Sequence, residues 1–277
     1  MNGWKYYNHA LLPECAPHEK ANVEALKDIK TWTESGGKPI FARYTTEFDC
    51  RRETNWWYVI KDTPFDINEI KAKRRYEINK GIKNFSVKVI NPLDYIEELY
   101  RVQNAAYATW PEKYRPSISK EAFKAMVKQW DSFEVFGAFS REDEHLCGFA
   151  YLTKYDSYCD FNVLRVDPDY ESLGINAAIV YAILKLYESF ILEGGYICDG
   201  SRNVNHETAF QNYLEKYFLF RKAYGVLNIR YLPPFNLLIS ILFLFRDELI
   251  KYDEYSIVHK INALLKMESI ARGKLDE

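Results

Sequence analysis

Residues 85 to 232 carry strand-like and helix-like segments in a regular order, and this order constrains the possible folds more than any other feature. Strands are predicted at 85–90, 133–140, 146–155, 158–166, 196–199 and 220–231, and helices at 92–110, 120–130, about 171–190 and about 206–217. Three strands in close succession predict an antiparallel meander, because short connections join neighbouring strands. The predicted fold class is therefore α/β, a mixed, mainly antiparallel central sheet with helices on both faces.

The segments on either side of this region have a different pattern. Residues 1–84 predict an N-terminal extension, in which strands at 40–46 and 54–61 form a hairpin and a basic helix follows. Asp66 can cap that helix, Glu69 falls at its third position, and Gly81 is expected to end it. Residues 235–277 predict a helical tail that begins with a buried apolar helix. We therefore expect an extension at 1–84, a core at 85–234 and a tail at 235–277.

Charge and composition argue against several classes of function. The 37 Lys and Arg residues against 39 Asp and Glu residues give a net charge of −2, which disfavours nucleic acid as a partner. The five cysteines form no Cys-x-x-Cys pair, so no metal site is expected. The apolar run at 235–245 is much shorter than the roughly 20 residues that span a bilayer. No apolar leader is visible at the start, so we expect a cytoplasmic protein without a membrane span.

A turn near residue 174 has the features of an anion-binding site. The strand that ends at Val166 runs into a polar turn, and Gly174 then opens a helix. Peptide N–H groups at the start of a helix lack partners within the helix and carry partial positive charge. Glycine also lets a phosphate approach such a backbone closely. The pattern favours a phosphate-bearing ligand at this turn, although many junctions of strand and helix contain a glycine without one.

With this turn after the third meander strand, the order of elements resembles the GNAT superfamily of acyl-CoA-dependent N-acyltransferases. Members bind pyrophosphate with a loop written Arg/Gln-x-x-Gly-x-Gly/Ala, and residues 171–176 read Glu-Ser-Leu-Gly-Ile-Asn here. The first glycine matches, whereas the residues at 171 and 176 depart from the pattern. The resemblance implies acetyl-CoA or another acyl-CoA as co-substrate, bound by Leu164, Val166, Glu171, Ser172, Leu173, Gly174, Ile175, Asn176 and Ala177.

A second match to the same superfamily lies about forty residues further along the chain. Members often carry Asn-x-x-Ala-x-x-x-Tyr, and Ala209 and Tyr213 keep this register, although His206 replaces the asparagine. The resemblance implies that the Tyr213 hydroxyl is the acid that protonates the leaving thiolate. The base that accepts a proton from the amine stays open among Asp160, Asp199 and His206, which lie at or near strand ends that border the cleft in such a fold.

The sequence is compatible with three functions. The first, which the sequence favours, is acyl transfer from acyl-CoA to a small or sugar-like amine acceptor. The second is a non-catalytic GNAT-like binding module, which the departures at Glu171 and Asn176 favour. The third follows from the N-terminal stretch and its basic helix between Lys71 and Lys83, which resemble Fem-type transferases, GNAT relatives that move an amino acid from aminoacyl-tRNA to peptidoglycan precursors. The net charge gives this third function little support, and the sequence does not indicate an oligomeric state.

Overall fold

The computed structural model describes residues 3–112, 115–204 and 209–274 of the chain. The chain divides into two compact units. The first unit comprises residues 1–59, 201–208 and 222–277, and the second comprises residues 60–200 and 209–221. Both units therefore draw on segments that are distant in the sequence, and β-strands of the first unit come from both ends of the chain.

The strands are β1 (Trp4–Tyr7), β2 (Ala10–Pro13), β3 (Phe41–Thr46), β4 (Trp56–Lys61), β5 (Phe85–Ile90), β6 (Phe133–Ser140), β7 (Leu146–Lys154), β8 (Tyr158–Val166), β9 (Tyr196–Ser201) and β10 (Arg221–Tyr231). The helices are α1 (Ile29–Thr33), α2 (Ala72–Asn84), α3 (Ile96–Ala108), α4 (Lys120–Val127), α5 (Ile175–Leu186), α6 (Glu188–Leu192), α7 (Ala209–Phe218), α8 (Phe235–Leu244), α9 (Arg246–Leu249) and α10 (Ser256–Ala271). The predicted strands and helices are thus present, with ends that differ by a few residues.

In the first unit the strand order is β1-β2-β3-β10-β4, so the predicted hairpin between β3 and β4 is wrong. β10 lies between these two strands and pairs with β3 in antiparallel register, with Val226 opposite Thr46. The Thr54 hydroxyl, just before β4, donates a hydrogen bond to the Gly225 carbonyl oxygen at 2.7 Å. Apolar alternation identifies a strand but not its neighbour, because any strand of suitable pattern can fill the same position.

The tail helix α8 also differs from expectation. It buries Ile239 and Phe243 in a cluster with residues of β2, β3 and α10. Several of its other apolar side chains are exposed: Leu237, Leu238, Ile241 and Leu244. The prediction of a buried helix is therefore wrong for most of this segment. Among the helices of the described ranges, none is both long and apolar enough to cross a membrane.

In the second unit the strand order is β9-β8-β7-β6-β5. The pairs from β5 to β8 are antiparallel, which confirms the predicted meander, and β9 joins β8 in parallel. Phe149 of β7 packs in a cluster with Leu99 of α3 and Phe123 of α4. A Cβ added at the preceding residue, Gly148, would lie 2.9 Å from the Ile175 Cδ1 atom of α5. Because successive strand residues face opposite sides, helices cover both faces of this sheet as predicted.

The helix α2 packs directly against the start of α5. Asp66 accepts a hydrogen bond from the Asn68 amide at 2.8 Å and so caps a short 3-10 turn, whereas α2 itself begins only at Ala72. Gly81 lies inside α2, and the prediction that it ends the helix is wrong. A Cβ at Gly81 would overlap with the carbonyl oxygen of Gly174, so a side chain would prevent the close contact of the two helices. The glycine is required by tertiary packing rather than by helix termination.

Candidate active site

The strands β8 and β9 pair over only three residues and then separate. Their parallel pairing ends at Asp160 opposite Cys198, whereas β8 continues to Val166 paired with β7, with a shift of register between Phe161 and Val163. Beyond Phe161, the peptide groups of β8 that point away from β7 therefore have no partner in β9. Leu164 and Val166, which the GNAT resemblance places near the acyl group, both lie on this part of β8 and pair with β7.

Asp199 is the first residue of β9 beyond the point where the strands separate. Its side chain is largely removed from water, and this burial raises the pKa of its carboxyl group from the ordinary 3.8 to about 7. A hydrogen bond from the Gln211 side chain of α7 partly opposes the shift by favouring the ionised form. A carboxyl group with this pKa is ionised in about half of the molecules at neutral pH, which suits it to accept a proton during catalysis.

Asp160 flanks the same point from the β8 side. Burial, and to a lesser degree the charge of Asp160, raise the pKa of the neighbouring Cys198 thiol. The structure therefore brings two of the three predicted bases, Asp160 and Asp199, to one end of the β8–β9 pair. The third, His206, lies outside the described residues. No cluster of His, Cys, Asp and Glu within the described ranges has the geometry of a metal site.

Tyr213 lies on α7 in a cluster of aromatic rings. Its ring centre is 4.7 Å from that of Tyr217 and 5.7 Å from that of Phe218. Burial raises the pKa of its phenol, and the nearby carboxylate of Glu77 in α2 adds to this effect. The hydroxyl therefore keeps its proton at neutral pH and can donate it or a hydrogen bond. Along α7, Tyr213 interacts with α2 while Gln211 interacts with β9.

The turn that leads into α5 is covered by α2. Gly174 has a left-handed φ of 85° and is buried, and a Cβ there would lie 2.9 Å from the Glu77 carbonyl oxygen. Lys80 donates to the Ser172 carbonyl oxygen at 2.8 Å, and Asn84 donates to that of Leu173 at 3.2 Å. Residues 171–173, which precede Gly174 in the turn, are exposed, and Asn176 in the first turn of α5 is half-buried.

The first residues of α5 are correspondingly inaccessible. Ile175 has 0% and Ala177 has 1% of its surface exposed to solvent. Their peptide N–H groups belong to the cradle that the sequence predicts for a pyrophosphate. In this structure a diphosphate would reach them only after α2 moved away from α5.

Gln211 is a site residue that the sequence reasoning did not identify. It shares the buried face of α7 with Leu214 and Phe218, at the spacing i, i+3 and i+7. A polar side chain on an otherwise apolar helix face is expected to have a buried hydrogen-bonding partner. This signal was present in the sequence, but the sequence could not identify Asp199 as the partner.

Comparisons with known proteins relate the chain to others by fold. No family model matches the sequence, and no curated protein matches it. The structure of L-PGS from Bacillus licheniformis is similar with a TM-score of 0.51 and 12% identity, over 88% of this chain and 84% of that chain. FemX is similar with a TM-score of 0.51 and 10% identity, over 84% of this chain and 82% of that chain.

A third structure of this kind is a domain designated as the C-terminal part (DUF2156) of a lysylphosphatidylglycerol synthetase from Agrobacterium fabrum. It has a TM-score of 0.51 and 12% identity, over 87% of this chain and 84% of that chain. At such low identity these similarities show the fold alone. At that level they confirm the predicted GNAT-like fold, which the chain shares with FemX.

Proposed function

We propose that this protein is an aminoacyl transferase, which moves an aminoacyl group from an ester donor such as aminoacyl-tRNA to an amine or hydroxyl acceptor. The observation that carries the proposal is Asp199, a carboxyl group with a pKa of about 7 that is held by Gln211 where β8 and β9 separate. A base with this pKa at the end of a parted strand pair suits a reaction in which a nucleophile loses a proton as it attacks a carbonyl group. The fold shared with FemX and L-PGS supports the same class of reaction.

The reaction can be assigned to residues as follows. Asp199 accepts a proton from the acceptor amine or hydroxyl while its nitrogen or oxygen bonds to the donor carbonyl carbon. The oxyanion that forms is stabilised by peptide N–H groups of β8 beyond Phe161, which have no partner in β9. The intermediate then collapses, the ester C–O bond breaks, and the leaving oxygen takes a proton from the Tyr213 phenol. The proton held by Asp199 returns to the phenol through solvent, which completes the cycle.

The covered turn at Gly174 favours an ester donor over acyl-CoA. Coenzyme A needs a site for its diphosphate, and within the predicted site Gly174, Ile175 and Ala177 are buried, with α2 packed against Gly174. Lys73 and Lys83 of α2, and Lys71 just before it, are exposed and can contact phosphates of an RNA donor. This choice departs from the expectation based on net charge, because lysines concentrated in one segment can bind RNA even when the whole chain is slightly acidic.

The proposal is tested with bulk tRNA that has been charged with radiolabelled amino acids. Ethanolamine serves as the amine probe, and the release of label from tRNA and its appearance on ethanolamine are followed over time. We expect the protein to accelerate this transfer, the Asp199→Asn variant to lose the acceleration, and an Asp131→Asn variant to keep it. Asp131 is a suitable control because it is an exposed carboxylate of the same unit.

A calorimetric titration with acetyl-CoA tests the competing donor. We expect no heat of binding at about 1 mM acetyl-CoA, a concentration that would saturate a micromolar site. Micromolar binding of acetyl-CoA without any effect on charged tRNA would contradict the proposal and favour an acyl-CoA-dependent transferase. Absence of both activities would also contradict it and would favour a binding module without catalysis.

A further inference from the structure

Arg165, close to the end of β8, lies beside two aromatic rings. Its guanidinium carbon is 5.3 Å from the ring centre of Tyr107 in α3 and 5.8 Å from that of Trp110, which follows the helix. The two rings meet edge to face with their centres 5.2 Å apart. Cation–π contacts of this kind hold a guanidinium group in place without neutralising its charge.

The hydrogen-bonding capacity of Arg165 is only partly used. One terminal nitrogen donates to the Leu164 carbonyl oxygen at 2.9 Å, whereas the buried Nε–H group has no acceptor. Within the described part of the chain, no carboxylate forms an ion pair with Arg165. Arg101 of the same unit shows the usual arrangement, since it donates to the Asp167 carboxylate at 2.7 Å and to the Leu146 carbonyl oxygen.

A buried guanidinium N–H group without an acceptor is unfavourable, and a ligand oxygen that reached the Arg165 Nε–H group would relieve this cost. The planar, forked guanidinium matches carboxylate and phosphate oxygens, which it can bind through two parallel hydrogen bonds. Trp110 has 40% of its surface exposed, so solvent reaches the aromatic pair from the side of Trp110. We propose that Arg165, Tyr107 and Trp110 form a binding site for an oxyanion group of the acceptor, a carboxylate or a phosphate.

The position of this site along β8 indicates what kind of acceptor would use it. Asp199 follows Cys198, which lies opposite Asp160, so Asp199 is level with Phe161 on the neighbouring strand. Arg165 is four residues further along β8, beyond a shift of the β7–β8 register between Phe161 and Val163. Arg165 therefore lies on the face of the sheet that α3 covers, whereas Asp199 lies on the face of α7. The assignment to the acceptor rests on the proposed role of Asp199, and it implies an acceptor long enough to reach from one face of the sheet to the other.

The binding site itself is tested by NMR on the full chain, without any donor or turnover. Inorganic phosphate and acetate are titrated separately at constant ionic strength, and the Arg165 Nε–H signal is assigned by its absence in the Arg165→Lys variant. We expect this signal and the Trp110 indole N–H signal to shift in a saturable way with one of the probes. Whichever probe causes the saturable shift identifies the oxyanion as phosphate or carboxylate. The Nε–H signal of Arg101, whose acceptors are in place, serves as the internal control and should not shift.

The Arg165→Lys variant separates specific binding from simple charge attraction. It keeps the positive charge but loses the forked pair of donors, so we expect the shift of the Trp110 signal to need at least about tenfold more probe. The proposal is overturned if neither signal shifts up to about 50 mM of either probe, or if the lysine variant binds as well as the wild type. If the variant does not fold, the titration of the wild-type protein still decides. The outcome is independent of aminoacyl transfer, so the two proposals can fail separately.

Discussion

Replacing Asp199 by Asn should make the folded protein more stable at alkaline pH. The pKa of this carboxyl group is about 7 in the folded chain and near the ordinary 3.8 in the unfolded chain. The folded state therefore binds the proton more tightly, and the stability due to this group is present at acidic pH and lost as the pH rises from about 4 to about 7. The difference between the two pKa values corresponds to about 4 kcal/mol. An amide cannot ionise and can still bond to Gln211, so it removes this cost.

Denaturant unfolding of the wild type and of Asp199→Asn at two pH values measures the effect. Linkage predicts a gain in the free energy of unfolding of about 4 kcal/mol at pH 8 and of about 2 kcal/mol at pH 5. Asp131→Asn, which changes an exposed carboxylate in the same unit, should leave the free energy of unfolding unchanged within about 0.5 kcal/mol at both pH values.

Two results would refute the reasoning about Asp199. One is an Asp199→Asn variant that is no more stable than the wild type at pH 8, because the carboxylate would then not be destabilised by burial. The other is the same gain at pH 5 and pH 8, because the gain would then not depend on ionisation. The expected combination of higher stability with lost transfer activity is typical of a residue kept for its chemistry at a cost in stability.

Three further predictions concern α2 and α7. Gly81→Ala should lower the free energy of unfolding by about 1–3 kcal/mol in denaturant titrations, although alanine favours helices, because its methyl group would overlap with α5; a more stable variant would exclude this close contact. Replacing Lys71 and Lys73 together by Glu should weaken tRNA binding and should reduce the magnitude of the slope of log affinity against log salt concentration by about 1–2. Lys124→Glu on α4 should have little effect in the same assay, and an equal loss would point to general charge attraction. Tyr213→Phe should slow transfer by about 10²–10⁴-fold, and an unchanged rate would remove this hydroxyl from the mechanism.

Local sequence patterns predicted most of the helices and strands. Alternating or helically spaced apolar residues identified the meander from Phe133 to Val166 and the helices around it, because these periods depend on residues close together in the chain. The same patterns did not predict that β10 separates β3 from β4, nor that Gly81 lies inside a helix. Both features depend on segments more than 90 residues away in the sequence. The strand β10 (Arg221–Tyr231) separates β3 from β4, and Gly81 packs against Gly174.

The candidate site was predictable in part. The sequence suggested Asp160, Asp199 and Tyr213 because of their positions at strand ends or in a family motif, and it suggested the amides near Gly174 because a helix begins there. It could not distinguish among the bases, since the pKa near 7 arises from burial by surrounding atoms, with Gln211 of another element opposing part of the shift. It also could not indicate that α2 covers the start of α5.

The amino-acid sequence alone was enough to predict which segments form strands and helices, in what order, and hence the class of fold. Those properties follow from side chains within a few residues of one another. Tertiary structure alone decided which amides are accessible, which carboxyl group is removed from water, and which arginine lacks a partner. Accessibility and desolvation depend on the atoms that surround a group in space, and at Gly174, Asp199 and Arg165 many of those atoms come from distant parts of the chain.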